Sequence, residues 1–284
     1  MTAAANESAR RKRRLRGIDI LYEDDDVIVI EKAAGVLVQE LRSGGGYTVE
    51  WALSDYVRKG QAKSRKRVYL VHRLDRDTSG VMMVAKTPEV QDYFRTRWNE
   101  ITEKTYLARV VGQMPSENGV FESLLAEDDD GYRVRSVKDP RRGKPARTEW
   151  ERVSVQGDTT LVRVRLKTGR KNQIRVHFAE AGHPVVGDVK YGKGNSGGKR
   201  NSGMCLHAWR LAFVHPRTGE RMSFESALPS FASSSVPQET IDHAGHLKTS
   251  THSTRSTRPI NPAHSISSTL STRLITPACS TRPL

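Results

Sequence analysis

What most constrains this chain is a set of short β-branched runs separated by turns. Val27-Ile-Val-Ile30, Val68-Tyr-Leu-Val71, Val81-Met-Met-Val84, Tyr106-Leu-Ala-Arg-Val-Val111 and Leu161-Val-Arg-Val-Arg-Leu166 each read as a strand. The last alternates apolar with basic residues, so one face should meet a core and the other water. Several neighbouring runs are joined by connections too short for a parallel crossover, which takes about a dozen residues or more. Two helices interrupt the strands. Thr87-Pro88-Glu89 supplies a cap, a proline at the first helical position and an acid in the first turn. Val90, Tyr93, Phe94 and Trp98 follow at helical spacing. The second helix is expected from about Lys171 to Ala181, with Ile174, His177, Phe178 and Ala181 on one face and Gly182 as its stop. The pattern predicts an α+β fold with a largely antiparallel or mixed sheet, not a doubly wound one.

Composition narrows the function. Lys and Arg number 47 against 32 Asp and Glu, a net charge of +15 that favours a polyanionic partner, most often nucleic acid. The two cysteines, Cys205 and Cys279, exclude a disulfide scaffold or a cysteine zinc module. No apolar run has the length of a membrane span, and the basic N-terminus is not followed by the apolar stretch of a secretory signal. Residues 1–17 are expected to form a basic, disordered leader able to touch phosphates, with Arg10, Arg11, Lys12, Arg13, Arg14 and Arg16. Residues 18–230 are expected to be the folded domain. Residues 231–284 hold 20 Ser or Thr in 54 positions, too little apolar surface to fold, and are expected to be a disordered tail. Gly192–Gly203 reads as a flexible basic loop.

Three clusters could carry chemistry. His72-Arg-Leu-Asp-Arg-Asp-Thr-Ser-Gly80 lies between two strand-like runs, a firm mount for a reactive group. Its residue types are also those of ordinary turns. Its serine lacks the Gly-x-Ser-x-Gly context of a hydrolase. Asp75, Asp77 and His72 could hold a metal, although two adjacent arginines oppose a cation. Leu166-Lys-Thr-Gly-Arg-Lys-Asn-Gln-Ile-Arg-Val-His177 brings basic residues to a helix start, where phosphates bind, or forms a plain solvated face. Lys104-Thr-Tyr106 opens a strand, where a tyrosine is more often core than catalytic.

In this order the segments resemble the RluA-type family of RNA pseudouridine synthases. The resemblance starts at Ile18-Asp-Ile-Leu-Tyr-Glu-Asp-Asp-Asp26. It runs through His72-Arg-Leu-Asp-x-x-Thr-Ser-Gly80, Lys104-Thr-Tyr106 and Thr168-Gly-Arg-x-x-Gln-Ile-Arg-x-His177. It continues through Gly182-His-Pro-x-x-Gly-Asp188, Tyr191-Gly192 and Leu206-His-Ala208 to His215-Pro-x-Thr-Gly-Glu220, covering about residues 18–229. It implies an α+β fold with a mixed, mostly antiparallel sheet, flanking helices and a central basic active-site cleft, and isomerisation of uridine in RNA, structured ribosomal or transfer RNA, to pseudouridine. By matching position, Asp75 is the essential aspartate, Tyr106 stacks on the base and accepts a proton, and Arg175 pairs with the aspartate. Arg73 helps hold the flipped nucleotide, and Arg170 and Ile174 are further substrate contacts. The reaction needs neither cofactor nor metal. A monomeric cytoplasmic enzyme is expected, without DNA or membrane partners. Two rival readings are an RNA-binding relative that has lost turnover and a metal-dependent RNA hydrolase using Asp75, Asp77 and His72. Two positions depart from the family. Asn172 stands for a usual histidine and cannot titrate. Ala33 stands for a usual proline, which predicts a looser turn there.

Overall fold

The computed structural model describes residues 15–40, 46–59, 61, 63–192 and 203–233. The leader through residue 14, the tail from residue 234 and most of the Gly192–Gly203 loop lie outside them. Strands β1 (Ile18–Glu23), β2 (Val27–Lys32), β3 (Tyr69–Leu70), β4 (Ser79–Ala85) and β5 (Thr102–Val111) come first. They are followed by β6 (Asn118–Glu127), β7 (Val134–Val137), β8 (Lys144–Gln156), β9 (Thr159–Leu166), β10 (Leu206–Val214) and β11 (Arg221–Glu225). Helices α1 (Val49–Arg58), α2 (Pro88–Ile101) and α3 (Gln173–Glu180) lie between them. The strands form one sheet in the order β1-β2-β4-β10-β5-β9-β8-β6-β7, with β11 on β10 and β3 on β4. All its pairings are antiparallel except β10 with β4, which meet in parallel through His207–Ser79 and Ala208–Gly80. The α+β expectation therefore holds, mixed sheet included.

Strand alternation divides the apolar residues between the two faces. Ile28, Ile30, Met82, Val84, Tyr106 and Ala108 meet Val49, Ala52 and Leu53 of α1 and Ile174 and Phe178 of α3. Val27, Val29, Val81, Met83 and Ala85 meet Val90 and Phe94 of α2 on the other face. Helix α2 begins as the sequence signals: Thr87 is the N-cap and its hydroxyl accepts from the Val90 amide at 3.3 Å. Helix α3 is shorter than expected. Asn172 is left-handed (φ 54°), which no right-handed helical turn can include, so the helix starts one residue later. The run at Val68–Val71 contributes only Tyr69 and Leu70 as a strand.

Two further expectations are corrected. The second face of β9 is not simply wet: Leu161 is buried with Leu107, Trp209 and Ala232. The folded body also runs past residue 230. Ala232 is fully buried, and the Arg109 guanidinium donates from Nε (3.1 Å) and Nη2 (2.5 Å) to the Phe231 carbonyl. A buried guanidinium needs acceptors, and this carbonyl supplies one.

Candidate active site

The segment between β3 and β4 joins two antiparallel neighbours and enters β4 where that strand meets β10 in parallel. It is held at both ends by features of the sequence. Gly80 has φ +112°, and a Cβ there would lie 2.1 Å from the Ala208 carbonyl oxygen, so only glycine lets β4 meet β10 this closely. Ser79 Oγ lies 2.8 Å from His207 Nδ1, whose other nitrogen is 2.8 Å from Ser226 Oγ. From below, Lys32 is wholly buried and donates to the carbonyls of Ala33, Val36 and Arg76, each at 2.9 Å. It thereby ties the turn after β2 to the loop that carries Asp75. Burial drives the Lys32 pKa down to about 8, against the opposing pull of Asp77 and Asp75. The turn at Ala33 is not loose: the Ala33 amide, which a proline would lack, donates to the Gly17 carbonyl at 2.9 Å.

Asp75 meets α3 through one ion pair. Arg175 Nη1 donates to Asp75 Oδ2 at 2.8 Å and to Asn172 Oδ1 at 3.0 Å. The opposite edge of the guanidinium is held by Asp188, with Nε to Oδ2 at 2.7 Å and Nη2 to Oδ1 at 2.9 Å. Asp188 also accepts from the amides of Lys190 and Tyr191 at 2.9 and 3.0 Å. The Tyr191 ring lies 5.2 Å from the guanidinium centre, and its hydroxyl accepts from Asn172 Nδ2 at 3.0 Å. Burial alone would lower the Arg175 pKa, but Asp188 and then Asp75 raise it, so the guanidinium stays charged. The Asp188 side chain is fully enclosed, whereas that of Asp75 is 29% exposed. Asp75 is thus the open end of a chain of fixed charges.

Asn172 has two uses here that the sequence did not show. Asparagine tolerates the left-handed backbone that ends the turn before α3. Its amide also joins Arg175 to Tyr191. That turn is stapled by Gln173, whose Oε1 accepts from Thr168 Oγ1 (2.8 Å) and the Arg170 amide (3.0 Å). Its Nε2 donates to the Arg147 carbonyl and Thr148 Oγ1.

A cleft of about 1060 Å³ opens above this arrangement. Asp75, Tyr106, Arg175, Arg73, Arg170 and Ile174 all line it, so the structure brings together every residue expected to act. Arg67, Lys104 and Lys171 add positive charge against Glu50 and Glu127. Tyr106 forms part of the wall, and its pKa is raised by burial and by the Asp75 charge, which keeps its hydroxyl protonated. Arg73 is exposed on the Asp75 loop, and Arg170 Nε is tied to the Pro145 carbonyl at 3.0 Å. Asp77, by contrast, pairs with Arg76 at 3.0 Å and does not line the cleft. Asp188, Asn172 and Tyr191 were missed as site residues. The signal was present, because Asp188 and Tyr191 fall within the matched strings, but their contact with Arg175 is tertiary.

The metal reading of the loop fails on geometry. His72 Nε2 accepts from the Met83 amide at 3.0 Å, and its ring stacks on Trp98 at 4.7 Å. Burial, then the Lys104 charge, take its pKa to about 3. Asp77 and Asp75 are each engaged by a different arginine, Arg76 and Arg175. Among the described residues, Asp24, Asp26 and His215 do converge. They lie outside the cleft and are engaged: Arg217 grips Asp26 at 2.7 and 2.8 Å, and His215 Nε2 is 2.9 Å from Asp24. Also among the described residues, no helix is long and apolar enough to cross a membrane.

Comparison with known proteins agrees with this geometry. Residues 26–180, more than half of the chain, match the family described as RNA pseudouridylate synthase. The chain is 36% identical over 219 residues to ribosomal large subunit pseudouridine synthase D of Nitrosomonas europaea, covering 75% of this chain and 62% of that protein. It is 35% identical over 214 residues to the uncharacterized RNA pseudouridine synthase YlyB of Bacillus subtilis, covering 75% and 69%. It thus spans less than two thirds of the length of the first of these relatives. Among solved structures, human RNA pseudouridylate synthase domain containing 4 superposes with a TM-score of 0.62 at 26% identity, over 82% of this chain and 96% of that one. With the loop of Asp75, the Tyr106 strand and the Arg175 helix joined in one basic cleft, the chain belongs to the RluA-type family of RNA pseudouridine synthases.

Proposed function

We propose that this protein isomerises uridine in RNA to pseudouridine, with Asp75 as the catalytic carboxylate and ribosomal RNA as its substrate. The observation that carries the reading is the Asp75 carboxylate. It stands at the open end of a fixed ion chain, inside a basic cleft, beside an aromatic ring. The name of the relative from Nitrosomonas europaea, ribosomal large subunit pseudouridine synthase D, favours the large-subunit ribosomal RNA over transfer RNA. The site would act with the RNA in the cytoplasm, as a monomer.

The chemistry follows from the parts. The reaction breaks the bond between the ribose C1′ and N1 of uracil, turns the base, and joins C1′ to C5. The proton on C5 leaves and N1 gains one, so atoms balance with no oxidant and no transferred group. Asp75 is the nucleophile or base toward the nucleoside, and Arg175 holds that carboxylate in place through its 2.8 Å ion pair. Arg175 does not wander, because Asp188 and Asn172 hold its remaining donors. Tyr106 is a stacking platform for a base taken out of its helix. Because its hydroxyl is neutral, it accepts the C5 proton only while passing on its own, a relay rather than a phenolate base. Arg73 enters the space beside the flipped nucleotide, Ile174 borders the base, and Arg170 meets a phosphate.

The test uses an unmodified transcript of large-subunit ribosomal RNA and maps pseudouridine by its stable carbodiimide adducts. The wild type should give discrete sites, and Asp75→Asn should give none while still binding the RNA. A folded Asp75→Asn protein with substantial activity overturns the assignment of Asp75. Modification of transfer RNA alone overturns the assignment of substrate.

A further inference from the structure

Lys104 is the one lysine lining the cleft whose ammonium meets only an aromatic ring, and no hydrogen-bond acceptor, among the described residues. It precedes Tyr106 by two residues on β5, so both side chains leave the same strand face, about 6–7 Å apart. The residue is only 7% exposed, and among the described residues its Nζ has no hydrogen-bond partner. Its neighbours are the Trp98 ring, 5.5 Å from Nζ, and the backbone of Gly169. A side chain at position 169 would begin 3.9 Å from Nζ, so the glycine leaves that approach clear. Burial brings the Lys104 pKa down to about 8, and no carboxylate opposes the fall.

Lys32 shows what a structural lysine in this protein looks like. It is as deeply buried, but three backbone carbonyls take up its three protons. A buried ammonium without acceptors is costly, and an apolar residue of the same length would fill the space behind Trp98 better. The charge is retained where its partner arrives from outside. The cleft is open on that side, and both residues line it.

The surroundings indicate which anion arrives. Among the described residues Lys104 has no bond to Asp75, whose Oδ2 is taken by Arg175. Lys104 faces the turn of Gly169, Arg170 and Lys171 that leads into α3, a run of positive charge suited to a phosphodiester strand. We propose that Lys104 is a phosphate-binding residue of the cleft, whose ammonium takes an oxygen of a phosphate next to the uridine seated on Tyr106. The flexible four-carbon stem lets Nζ move out from beside Trp98 to make the contact. The proposal rests on the reading that RNA enters this cleft.

The test measures Lys104→Met and Lys104→Gln against wild type, with the unmodified large-subunit transcript as probe. Loss of one phosphate contact should weaken binding about tenfold at low salt. It should also reduce the slope of log affinity against log salt by about 0.7–0.9. KM should rise more than kcat falls, and Lys104→Arg should restore the slope. An unchanged slope in the neutral variants overturns the proposal. So does a loss confined to kcat, which would place Lys104 on the base. If neither neutral variant folds, the charge is structural and the proposal also fails. Binding and its salt slope are read without turnover. A wild type that binds this RNA but makes no pseudouridine therefore overturns the functional reading alone, and the slope still decides Lys104.

Discussion

The two ends of the cleft solve opposite electrostatic problems. At one end, two carboxylates surround one guanidinium: Asp188 holds its far edge, Asp75 its near edge, and Asn172 accepts from the same nitrogen as Asp75. Each nitrogen of the guanidinium is engaged before substrate arrives, so the reacting carboxylate needs no reorganisation. At the other end, Lys104 lies against Trp98 with no acceptor among the described residues, and His72 is driven neutral beside it. The difference teaches that the chain completes the part that must be exact for chemistry. It leaves to the substrate the part that only has to hold on.

The strongest way to break this contrast is to neutralise the completed end. Asp75→Asn keeps size and hydrogen bonding but removes the charge, and turnover should fall by ~10⁴ or more. RNA affinity should hold or rise, since one negative charge has left a basic cleft. Asp77→Asn, in the same loop but paired with Arg76 outside the cleft, should cost less than about tenfold. Equal losses in the two variants would mean that the loop, not the Asp75 carboxylate, is being damaged. Tyr106→Phe comes next. It keeps the platform and breaks the relay, so single-turnover rate should fall by ~10²–10³, with RNA affinity within a few-fold. A near-normal rate would reduce Tyr106 to a stacking surface.

Asp188→Asn loosens the same end from behind. It leaves Arg175 paired to Asp75 alone and should cost about 3 kcal/mol of stability and roughly tenfold in rate as the guanidinium loses its aim. The pH dependence has a definite sign. Burial would raise the Asp188 carboxyl, but Arg175 and two backbone amides bring it below its ordinary value. The stability it supplies is present above the ordinary carboxylate range and is lost as pH falls through the lowered value. The melting temperatures of wild type and Asp188→Asn should therefore converge toward acid. Parallel curves would show that Asp188 contributes shape and not charge.

How much of this was legible in the sequence depended on whether the cause was local. The β2, β4, β5 and β9 runs were readable because burial on both faces, or on one, leaves a direct trace in β-branched residues. The start of α2 was readable because its cap and proline lie within four positions. By contrast, β6 has a mostly half-exposed pattern and owes its place to pairing with β7 and β8. Helix α1, whose Thr48 hydroxyl caps it by accepting from the Trp51 amide, was not read from the sequence. At the site, Asp75 and Arg175 came from matched strings, whereas the grip of Asp188 across 13 residues exists only in three dimensions. Lys104 was one basic residue in a basic chain, and nothing local says that its ammonium is buried. The proline missing at Ala33 was read as a loss, because the carbonyl that its amide reaches, on Gly17, belongs to a separate turn.

The smallest expected effect tests the incomplete end without any RNA. Lys104 has a folded-state pKa of about 8 against 10.5 for the free side chain. Between those values the unfolded chain binds more protons than the folded one, so this group makes stability rise with pH across that window. Below about pH 8 the protein carries the full cost of a buried ammonium. Lys104→Met removes that cost and keeps the volume beside Trp98. The variant should therefore melt a few degrees above wild type at pH 7, and the advantage should shrink steadily toward pH 10.5. Lys32→Met gives the contrast. Its ammonium has three carbonyl partners, so the same change should lower the melting temperature at pH 7 by leaving those carbonyls buried and unpaired. Opposite signs for two lysines of similar burial and similar pKa would isolate the missing acceptor as the difference. If Lys104→Met lost stability as Lys32→Met does, the ammonium would have a partner in the free protein, and the cleft would be complete at both ends.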